Sequence, residues 1–181
     1  MRITVSGPPG SGKTTLARLI SDKTGMELIY AGQVFRDMAK ERGMTLEDFG
    51  RLAERDESID RELDERMVKI AGERDDIILD GRLTGYMTHR HGIPAFRVYV
   101  TAEFPIRVER IAGREEKDRE QVEEEVLERE RSEYERYMKY YGIDIRDTEI
   151  YDLVLDSSHM SPEALAERLL HEAGVSHAHK G

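Results

Sequence analysis

The sequence predicts an α/β fold with three layers, in which helices cover both faces of a five-stranded parallel sheet. Two observations support this prediction. Apolar stretches of strand length alternate along the chain with longer segments of helical periodicity, which is typical of parallel α/β folds. A glycine-rich turn also lies directly between the first apolar stretch and the first helical one, where ligands bind in such sheets. The length of 181 residues suits a single domain.

The predicted elements follow one another in strand–helix alternation, with one exception. The expected strands are Ile3–Ser6, Glu27–Tyr30, Ile77–Asp80, Arg97–Thr101 and Leu153–Asp156. The expected helices are Lys13–Thr24, Gly32–Arg42, Thr45–Glu54, Ser58–Glu73, Pro105–Gly113, Arg119–Tyr140 and Ser161–Glu172. Residues 32–74 therefore hold about three helices between the second and third strands, which is far more than one crossover connection needs.

The composition excludes several classes of protein. There is no cysteine, so neither a disulfide framework nor a cysteine-based zinc site is possible. The net charge of -10 argues against a nucleic-acid-binding domain, which needs a basic face. No apolar run approaches the ~18–20 residues that span a bilayer, and no signal peptide precedes the first strand. These observations suit a cytoplasmic protein without nucleic-acid or membrane partners. We also expect it to be a monomer and to act on a small molecule.

The glycine-rich turn matches the P-loop pattern G-x-x-x-x-G-K-[ST]. A chance match of a turn to this pattern is disfavoured, because every fixed position is present. A strand also precedes the turn and a helix follows it, as in known P-loops. Such a loop wraps backbone N–H groups around phosphate at a helix N-terminus. We expect the lysine to reach the β- and γ-phosphates of a nucleoside triphosphate and the threonine to ligate Mg²⁺. The residues of this predicted nucleotide site are Gly7, Pro8, Pro9, Gly10, Ser11, Gly12, Lys13, Thr14 and Thr15.

The remaining sequence favours a phosphotransferase over other P-loop proteins. A guanine-nucleotide switch needs an Asn-Lys-x-Asp motif, and the chain has no asparagine. The Ser-Gly-Gly-type signature of transporter ATPases is also absent. A phosphotransferase needs cationic donors around the transferring group, and arginine suits forked phosphate contacts. Arg36 and Arg82 follow the ends of the second and third strands. Arg110 and Arg114 lie one turn apart on the helix after the fourth strand, and Arg129 and Arg136 lie on one face of the long helix.

Each of these arginines also has a simpler interpretation. The chain contains 21 arginines, and most arginines in proteins are solvated or form surface salt bridges. The prediction therefore depends on the set, since these side chains come from separate elements that meet at one edge of the sheet. Asp80 ends the third strand and is placed to hold Mg²⁺ directly or through water. Its alternative role is to cap the following turn.

Several of these segments resemble the nucleoside monophosphate kinases. The segment 31–36, Ala-Gly-Gln-Val-Phe-Arg, is similar to the Thr-Gly-Asp-x-x-Arg motif of that family, whose arginine holds the phosphate of the acceptor. Residues 108–114 are similar to the lid-entry segment of the family, whose arginines contact the donor nucleotide and the phosphates. Asp80-Gly81-Arg82 resembles the cytidylate kinase form, whereas adenylate kinases carry Asp-Gly-Phe-Pro-Arg and a base-reading glutamine that is absent between 81 and 94.

Two further segments extend the resemblance to cytidylate kinases, in their compact type 2 form. The charged positions of residues 129–136 match the Arg-Asp-x-x-Asp-Ser-x-Arg segment of that family, with the serine and the second acid exchanged. Residues 151–158 resemble its last strand and the loop that packs by the donor base. The chain departs from the bacterial enzymes at Leu83, where they carry aspartate, and in its shorter insert. Candidates for reading the base, by placement only, are Asp60, Arg61 and Arg66.

The resemblance implies ATP-dependent phosphorylation of CMP, and also of dCMP, with Mg²⁺. It implies that Arg36 and Arg82 clamp the acceptor phosphate, and that Arg110, Arg114 and Arg129 close over the transferring group. It further implies that Arg129, Glu133 and Arg136 meet the sugar and base of the acceptor. We expect one kinase domain over residues 1–176, with an acceptor-binding insert at about 32–74, a lid at about 114–130 and a frayed tail at 177–181.

Two alternatives remain open at this stage. One is another small-molecule kinase with the same fold, which acts on AMP, UMP or a non-nucleotide acid. The other is a regulatory P-loop protein that hydrolyses ATP slowly and signals through residues 114–142. Only the first kind of protein would release ADP in response to an acceptor.

Overall fold

A computed structural model describes residues 1–175 of the chain; the predicted tail at 177–181 lies outside them. Five strands form one parallel sheet in the order β2-β3-β1-β4-β5. The strands are β1 (Arg2–Ser6), β2 (Glu27–Tyr30), β3 (Ile77–Asp80), β4 (Phe96–Thr101) and β5 (Leu153–Asp156). The predicted five-stranded parallel sheet is confirmed, with the strand bounds within one residue of those expected.

Eight helices surround this sheet within residues 1–175. They are α1 (Lys13–Thr24), α2 (Ala31–Glu41), α3 (Leu46–Ala53), α4 (Glu57–Glu73), α5 (Thr84–Arg90), α6 (Phe104–Glu115), α7 (Arg119–Tyr141) and α8 (Pro162–Glu172). No helix among these residues is long and apolar enough to cross a membrane.

Helices cover both faces of the sheet, as predicted. On one face, α1 and α8 pack against the branched side chains of β1, β4 and β5; Ile3, Val98 and Leu155 are fully buried in this cluster. On the other face, Met67 and Ala71 of α4 pack against β2 and β3. The β-branched composition of the strands suits such burial on two faces.

The three helices between β2 and β3 pack around a core of their own. Phe49 of α3 is fully buried among Met38 and Ile59 from the neighbouring helices. The ring of Phe35 lies 4.7 Å from the ring of Phe49, measured between centroids. This cluster holds α2, α3 and α4 (the helical insert, residues 31–73) as a packed unit beside the carboxyl edge of the sheet.

One helix was missed by the sequence analysis. Helix α5 has seven residues, begins after Leu83 without a capping side chain, and is buried over Thr84–Thr88. A seven-residue segment with so few apolar positions lacks the periodicity that distinguishes a helix from a strand. Tyr151 packs on it so closely that a Cβ at Gly85 would lie 2.6 Å from the Tyr151 ring.

The predicted lid region is the junction of two long helices. Helix α6 ends at Glu115, where Glu116 takes a left-handed conformation, and α7 begins at Arg119. Val108 and Val122 are buried where the two helices pack together. Helix α7 then runs back over the carboxyl edge of the sheet, which brings its charged side chains to the glycine-rich loop.

Candidate active site

The glycine-rich loop lies at the carboxyl end of β1, in the middle of the sheet. Two of its glycines, Gly10 and Gly12, have φ angles of +77° and +87°, which side chains other than glycine rarely adopt. A Cβ at Gly10 would also lie 2.7 Å from the carbonyl oxygen of Arg107. Glycine is therefore required at position 10 both for the backbone conformation and for the close approach of α6.

Carbonyl groups of the loop are fixed by side chains from other elements. Arg110 donates to the Gly10 carbonyl at 3.1 Å and to the Ser157 carbonyl at 2.7 Å. The Ser157 hydroxyl donates to the Ser11 carbonyl at 2.6 Å. These bonds hold the loop between α6 and the segment that follows β5. Arg110 therefore lies against the glycine-rich loop; its predicted contact with the donor phosphates stays a prediction.

Arg107 is a second support of the loop, and the sequence analysis missed it. Its guanidinium donates to the Pro9 carbonyl at 3.2 Å and to Glu130 of α7 at 2.7 Å. Its Nε donates to the Ala102 carbonyl at 3.2 Å, and the residue is buried. Arg107 therefore ties the loop directly to α7. Only its position on the inner face of α6 distinguishes it from the many surface arginines.

Thr14 and Asp80 place two side-chain oxygens next to each other at the mouth of the loop. The Thr14 hydroxyl donates to Asp80 Oδ2 at 2.7 Å. Burial raises the pKa of Asp80, while the bond from Thr14 and the charge of Lys13 act in the opposite direction. The alternative role as a cap of the following turn is not seen, because among residues 1–175 the Asp80 carboxylate accepts from the Thr14 hydroxyl and from no backbone N–H of the turn.

This oxygen pair fits Mg²⁺ held together with phosphates. Among residues 1–175, no three His, Cys, Asp or Glu side chains converge as a metal cage. Magnesium in kinase sites usually keeps several waters and takes only one or two protein oxygens, with substrate phosphates as further ligands. When bound, the ion would be held by Thr14 and Asp80 and would neutralise charge on the phosphates.

Lys13 is the first residue of α1 and faces Asp80 and the arginines of the cleft. Burial lowers the pKa of Lys13 to about 8, with Asp80 opposing the shift and Arg82 and Arg129 adding to it. The protein alone therefore stabilises the charged form of the ammonium group only weakly. A phosphate anion would supply the missing counter-charge.

A cavity of about 550 Å³ opens between the loop, the carboxyl ends of β2 and β3, and α7. We call it the cationic cavity. Arg36 is exposed and turned to this cavity, without a hydrogen bond or ion pair among residues 1–175. Five cations and two carboxylates line the cavity, and such an excess of positive charge favours a polyanion. They are Lys13, Arg18, Arg36, Arg82 and Arg129, with Asp80 and Glu133.

Glu133 joins two of these arginines. Arg82 donates to Glu133 Oε2 at 2.6 Å, and Arg129 donates to Glu133 Oε1 at 3.1 Å. The Arg82 and Glu133 side chains are 12% and 5% exposed, whereas Arg129 is 60% exposed. Burial acts to raise the pKa of Glu133, but the two arginines together hold it below its ordinary value. The predicted acceptor residues Arg82, Arg129 and Glu133 therefore form one connected network.

A second cavity of about 680 Å³ shares Phe35, Arg129 and Glu133 with the first. We call it the acidic cavity, because five carboxylates and only two arginines line it. They are Glu54, Asp60, Glu125, Glu128 and Glu133, with Arg129 and Arg136. It lies between the helical insert and α7, and the two cavities form one continuous cleft.

The acidic cavity contains an ion pair that joins the insert to α7. Arg136 Nη1 donates to Asp60 Oδ2, and Arg136 Nε lies 3.3 Å from the Ser132 hydroxyl. Burial raises the pKa of Asp60 against the opposing charge of Arg136. The other two candidates for base recognition lie elsewhere. Arg61 covers the rings of Tyr140 and Tyr141, and Arg66 pairs with Glu41 and Glu62.

The structure does not bring every predicted residue to the cleft. Arg114 lies at the end of α6 with its side chain 69% exposed, and its carboxylate neighbour is Glu115 at 4.0 Å. Thr15 is exposed on α1, one residue beyond the loop. Arg18 lines the cationic cavity and donates to the Tyr30 hydroxyl at 2.9 Å, but the sequence analysis missed it. The only indication of this in the sequence was the position of Arg18, one turn into the helix that follows the loop.

The depressed pKa of Lys13 leads to a testable pH dependence. Because bound phosphate favours the charged lysine, binding above pH 8 requires uptake of a proton by Lys13. The dissociation constant for a non-hydrolysable ATP analogue should therefore rise between pH 7.5 and 9.5, by up to roughly tenfold per pH unit above the pKa. Calorimetric titration at several pH values measures it. The Lys13→Met protein should bind weakly with little pH dependence, and an equal pH dependence in both proteins would contradict this role.

Comparison with known proteins identifies the relatives of this chain. A model of the cytidylate kinase-like family matches residues 2–159. A cytidylate kinase of Methanosarcina acetivorans is 50% identical over 161 residues, which cover 87% of this chain and 87% of that protein. A cytidylate kinase of Natronomonas pharaonis is 45% identical over 165 residues, covering 91% of this chain and 85% of that protein.

Solved structures share the fold at low sequence identity. A shikimate kinase from Bacteroides thetaiotaomicron aligns with a TM-score of 0.65 at 15% identity, covering 97% of this chain and 99% of that one. An uncharacterised protein from Eubacterium ventriosum aligns with a TM-score of 0.74 at 12% identity, with the same coverage. These likenesses agree with the predicted P-loop α/β fold, and the sequence relatives confirm the predicted resemblance. The chain belongs to the cytidylate kinase-like family.

Proposed function

We propose that this protein is an ATP-dependent nucleoside monophosphate kinase that converts CMP, and also dCMP, to the diphosphate. Family membership supports the reaction class. The main observation in favour of the proposal is a single cleft. It begins at the phosphate-binding loop, continues through the cationic cavity and ends in the acidic cavity. A donor triphosphate and an acceptor nucleotide can meet in this cleft, with their phosphates at its cationic part.

The donor side is built from the loop, Lys13 and the arginines of α6. The loop amides and Lys13 hold the phosphates of ATP, and Thr14 and Asp80 hold Mg²⁺ beside them. Arg110 already contacts the loop and the segment after β5, so it is placed to meet the donor nucleotide. Arg114 lies one turn further along α6 and reaches the phosphates only if the junction of α6 and α7 closes.

The acceptor side is built from Arg36, Arg82 and the long helix α7. Arg36 and Arg82 clamp the phosphate of CMP from two neighbouring strand ends, and Arg129 neutralises the transferring group. An oxygen of the acceptor phosphate attacks the γ-phosphorus in line, so the protein needs no covalent intermediate. Its contribution is orientation and stabilisation of charge that spreads over the equatorial oxygens.

The same proposal assigns roles to the larger parts of the chain. Residues 1–176 act as one kinase domain in which residues 32–74 hold the acceptor. Residues 114–130 act as the lid, whose closure excludes water that would otherwise intercept the phosphoryl group. The protein acts as a cytoplasmic monomer.

A panel of acceptors tests this proposal directly. ADP release is measured in a coupled assay with ATP, Mg²⁺ and one of CMP, dCMP, UMP, AMP or shikimate. We expect acceptor-dependent release with CMP and dCMP, and far less with the others. Turnover of AMP or shikimate without CMP would make the assigned acceptor wrong. ADP release that no acceptor stimulates would instead indicate a regulatory ATP-binding protein.

Substitution of Arg36 tests the acceptor clamp. Arg36→Ala should raise KM for CMP by roughly 10- to 100-fold, the effect expected for a lost charge-assisted bond, while KM for ATP changes little. Arg55→Ala removes an exposed arginine of the same insert that lines neither cavity, and it should behave as the unmodified protein does. An Arg36→Ala enzyme with an unchanged KM for CMP would show that Arg36 is only a solvated surface residue.

A further inference from the structure

We propose that a third cavity, which lies beneath α7, binds a second nucleotide outside the donor and acceptor sites. This cavity has a volume of about 390 Å³, and Tyr99 of β4 and Tyr134 of α7 line it. We call it the tyrosine cavity. It shares only Arg82 with the cationic cavity and no residue with the acidic cavity. The proposed phosphoryl transfer therefore leaves this space unused.

The alternation of side chains along β4 produces the tyrosine cavity. Val98 and Val100 pack with α1 and α8 on one face of the sheet. Tyr99 and Thr101 therefore point to the other face, because successive side chains of a strand alternate. Helix α7 crosses above that face, and residues 142–152 connect it to β5. The cavity is the space between the strands, the helix and this connection.

Two shielded arginines offer unused donors to this cavity. The side chains of Arg82 and Arg107 are 12% and 9% exposed. Arg82 bonds to Glu133 through Nε alone, and Arg107 uses only Nε and Nη1. Their remaining Nη groups have no hydrogen-bond partner among residues 1–175. Glu130, the one carboxylate in the described lining, is already paired with Arg107. The unused groups are therefore guanidinium donors, which suit the oxygens of a phosphate.

The outer part of the cavity suits a flat ring. The guanidinium carbon of Arg146 lies 4.2 Å from the centre of the Tyr134 ring, and Tyr99 contributes a second, half-buried ring. Ile145 and Val154 add apolar surface. Aromatic rings and arginine planes are surfaces on which nucleobases stack. Phosphate donors inside and ring surfaces outside together predict a nucleotide, and the volume lies in the range of small-molecule sites.

A nucleotide in the tyrosine cavity should oppose binding of the acceptor. Arg82 lines both this cavity and the cationic cavity, so a phosphate bound beneath α7 would compete for its Nη groups with the phosphate of CMP. The occupied site should therefore raise KM for CMP more than KM for ATP. This consequence, unlike the binding itself, rests on the proposed function.

The alternative is that the tyrosine cavity holds only water. Bridging water would satisfy the arginines as a phosphate does, but it would give no saturable binding that depends on Arg146. Arg146 is exposed and lines the tyrosine cavity but neither of the other two cavities. Its substitution therefore distinguishes a nucleotide in this cavity from one in the catalytic cleft.

The first test uses a fluorescent reporter. The chain contains no tryptophan, so Tyr134→Trp introduces a single indole into the cavity wall. Titration with CTP or UTP should change its emission in a saturable way, and pyrophosphate, which has no ring, should bind roughly tenfold more weakly. Adding Arg146→Ala should raise the dissociation constant of the nucleotide about tenfold, because a charged donor and a stacking plane are lost.

Tyr140→Trp provides the control, because Tyr140 lies on the same helix outside the cavity lining. A nucleotide in the catalytic cleft would affect both reporters, but only the Tyr134→Trp signal should depend on Arg146. An emission change that Arg146→Ala does not weaken would overturn the proposal. So would the lack of any saturable change with either nucleotide, or pyrophosphate binding as tight as that of the nucleotides.

The second test measures inhibition with both tyrosines intact. At saturating ATP, the nucleotide that binds in the first test should raise KM for CMP. Arg146→Ala should raise its inhibition constant about tenfold, with kcat and the uninhibited KM unchanged. Arg55→Ala, which lines none of the three cavities, should be inhibited as the unmodified protein is.

Two outcomes of this second test separate the proposals. Equal inhibition of the Arg146→Ala and unmodified proteins would show that the inhibitor acts in the catalytic cleft, which overturns the present proposal. No phosphorylation of CMP by the uninhibited protein would instead be a failure of the proposed function, and the reporter titration would still decide whether the tyrosine cavity binds a nucleotide.

Discussion

The site depends on the buried carboxylate of Glu133. Repulsion between cations opposes the concentration of arginines around a small cavity, and burial opposes the charging of Arg82. Glu133 compensates for both effects, because it accepts bonds from Arg82 at the end of β3 and from Arg129 on its own helix. Loss of one partner from such a buried pair typically costs about 3–5 kcal/mol. Glu133 therefore fixes α7 to the sheet and holds the side chains of Arg82 and Arg129 at the cationic cavity.

Around this network, the cleft is divided by charge. The parallel sheet brings the loop after β1 and the ends of β2 and β3 to one edge, which gathers the cations. The helical insert and α7 enclose the acidic part, which accepts a base more readily than a phosphate. Arg107 couples the two regions, because it bonds to the loop at Pro9 and to α7 at Glu130. A movement of α7 that accompanies closure would therefore also displace the loop.

Much of this arrangement could be predicted from local sequence. The strands are buried β-branched runs with clear ends, and the loop has a defined residue pattern, so both were located closely. Helix α5 was missed because seven residues with a glycine and no cap carry little periodicity. Arg107 and Arg18 were missed because nothing in the local sequence separates an arginine that contacts the loop or lines a cavity from the others among 21. The pairing of Asp60 with Arg136 depends on how α4 packs beside α7, which only the folded chain reveals.

The central claim is that donor and acceptor occupy one continuous cleft with their phosphates between Lys13 and Arg36. A bisubstrate compound in which adenosine and cytidine are joined by five phosphates measures this most directly. If the cleft is continuous, calorimetry should show the compound binding at least roughly 100-fold more tightly than ATP or CMP alone, as expected when two sites are bridged. An affinity no higher than that of ATP would contradict the account, because it would show that the two sites cannot be occupied together.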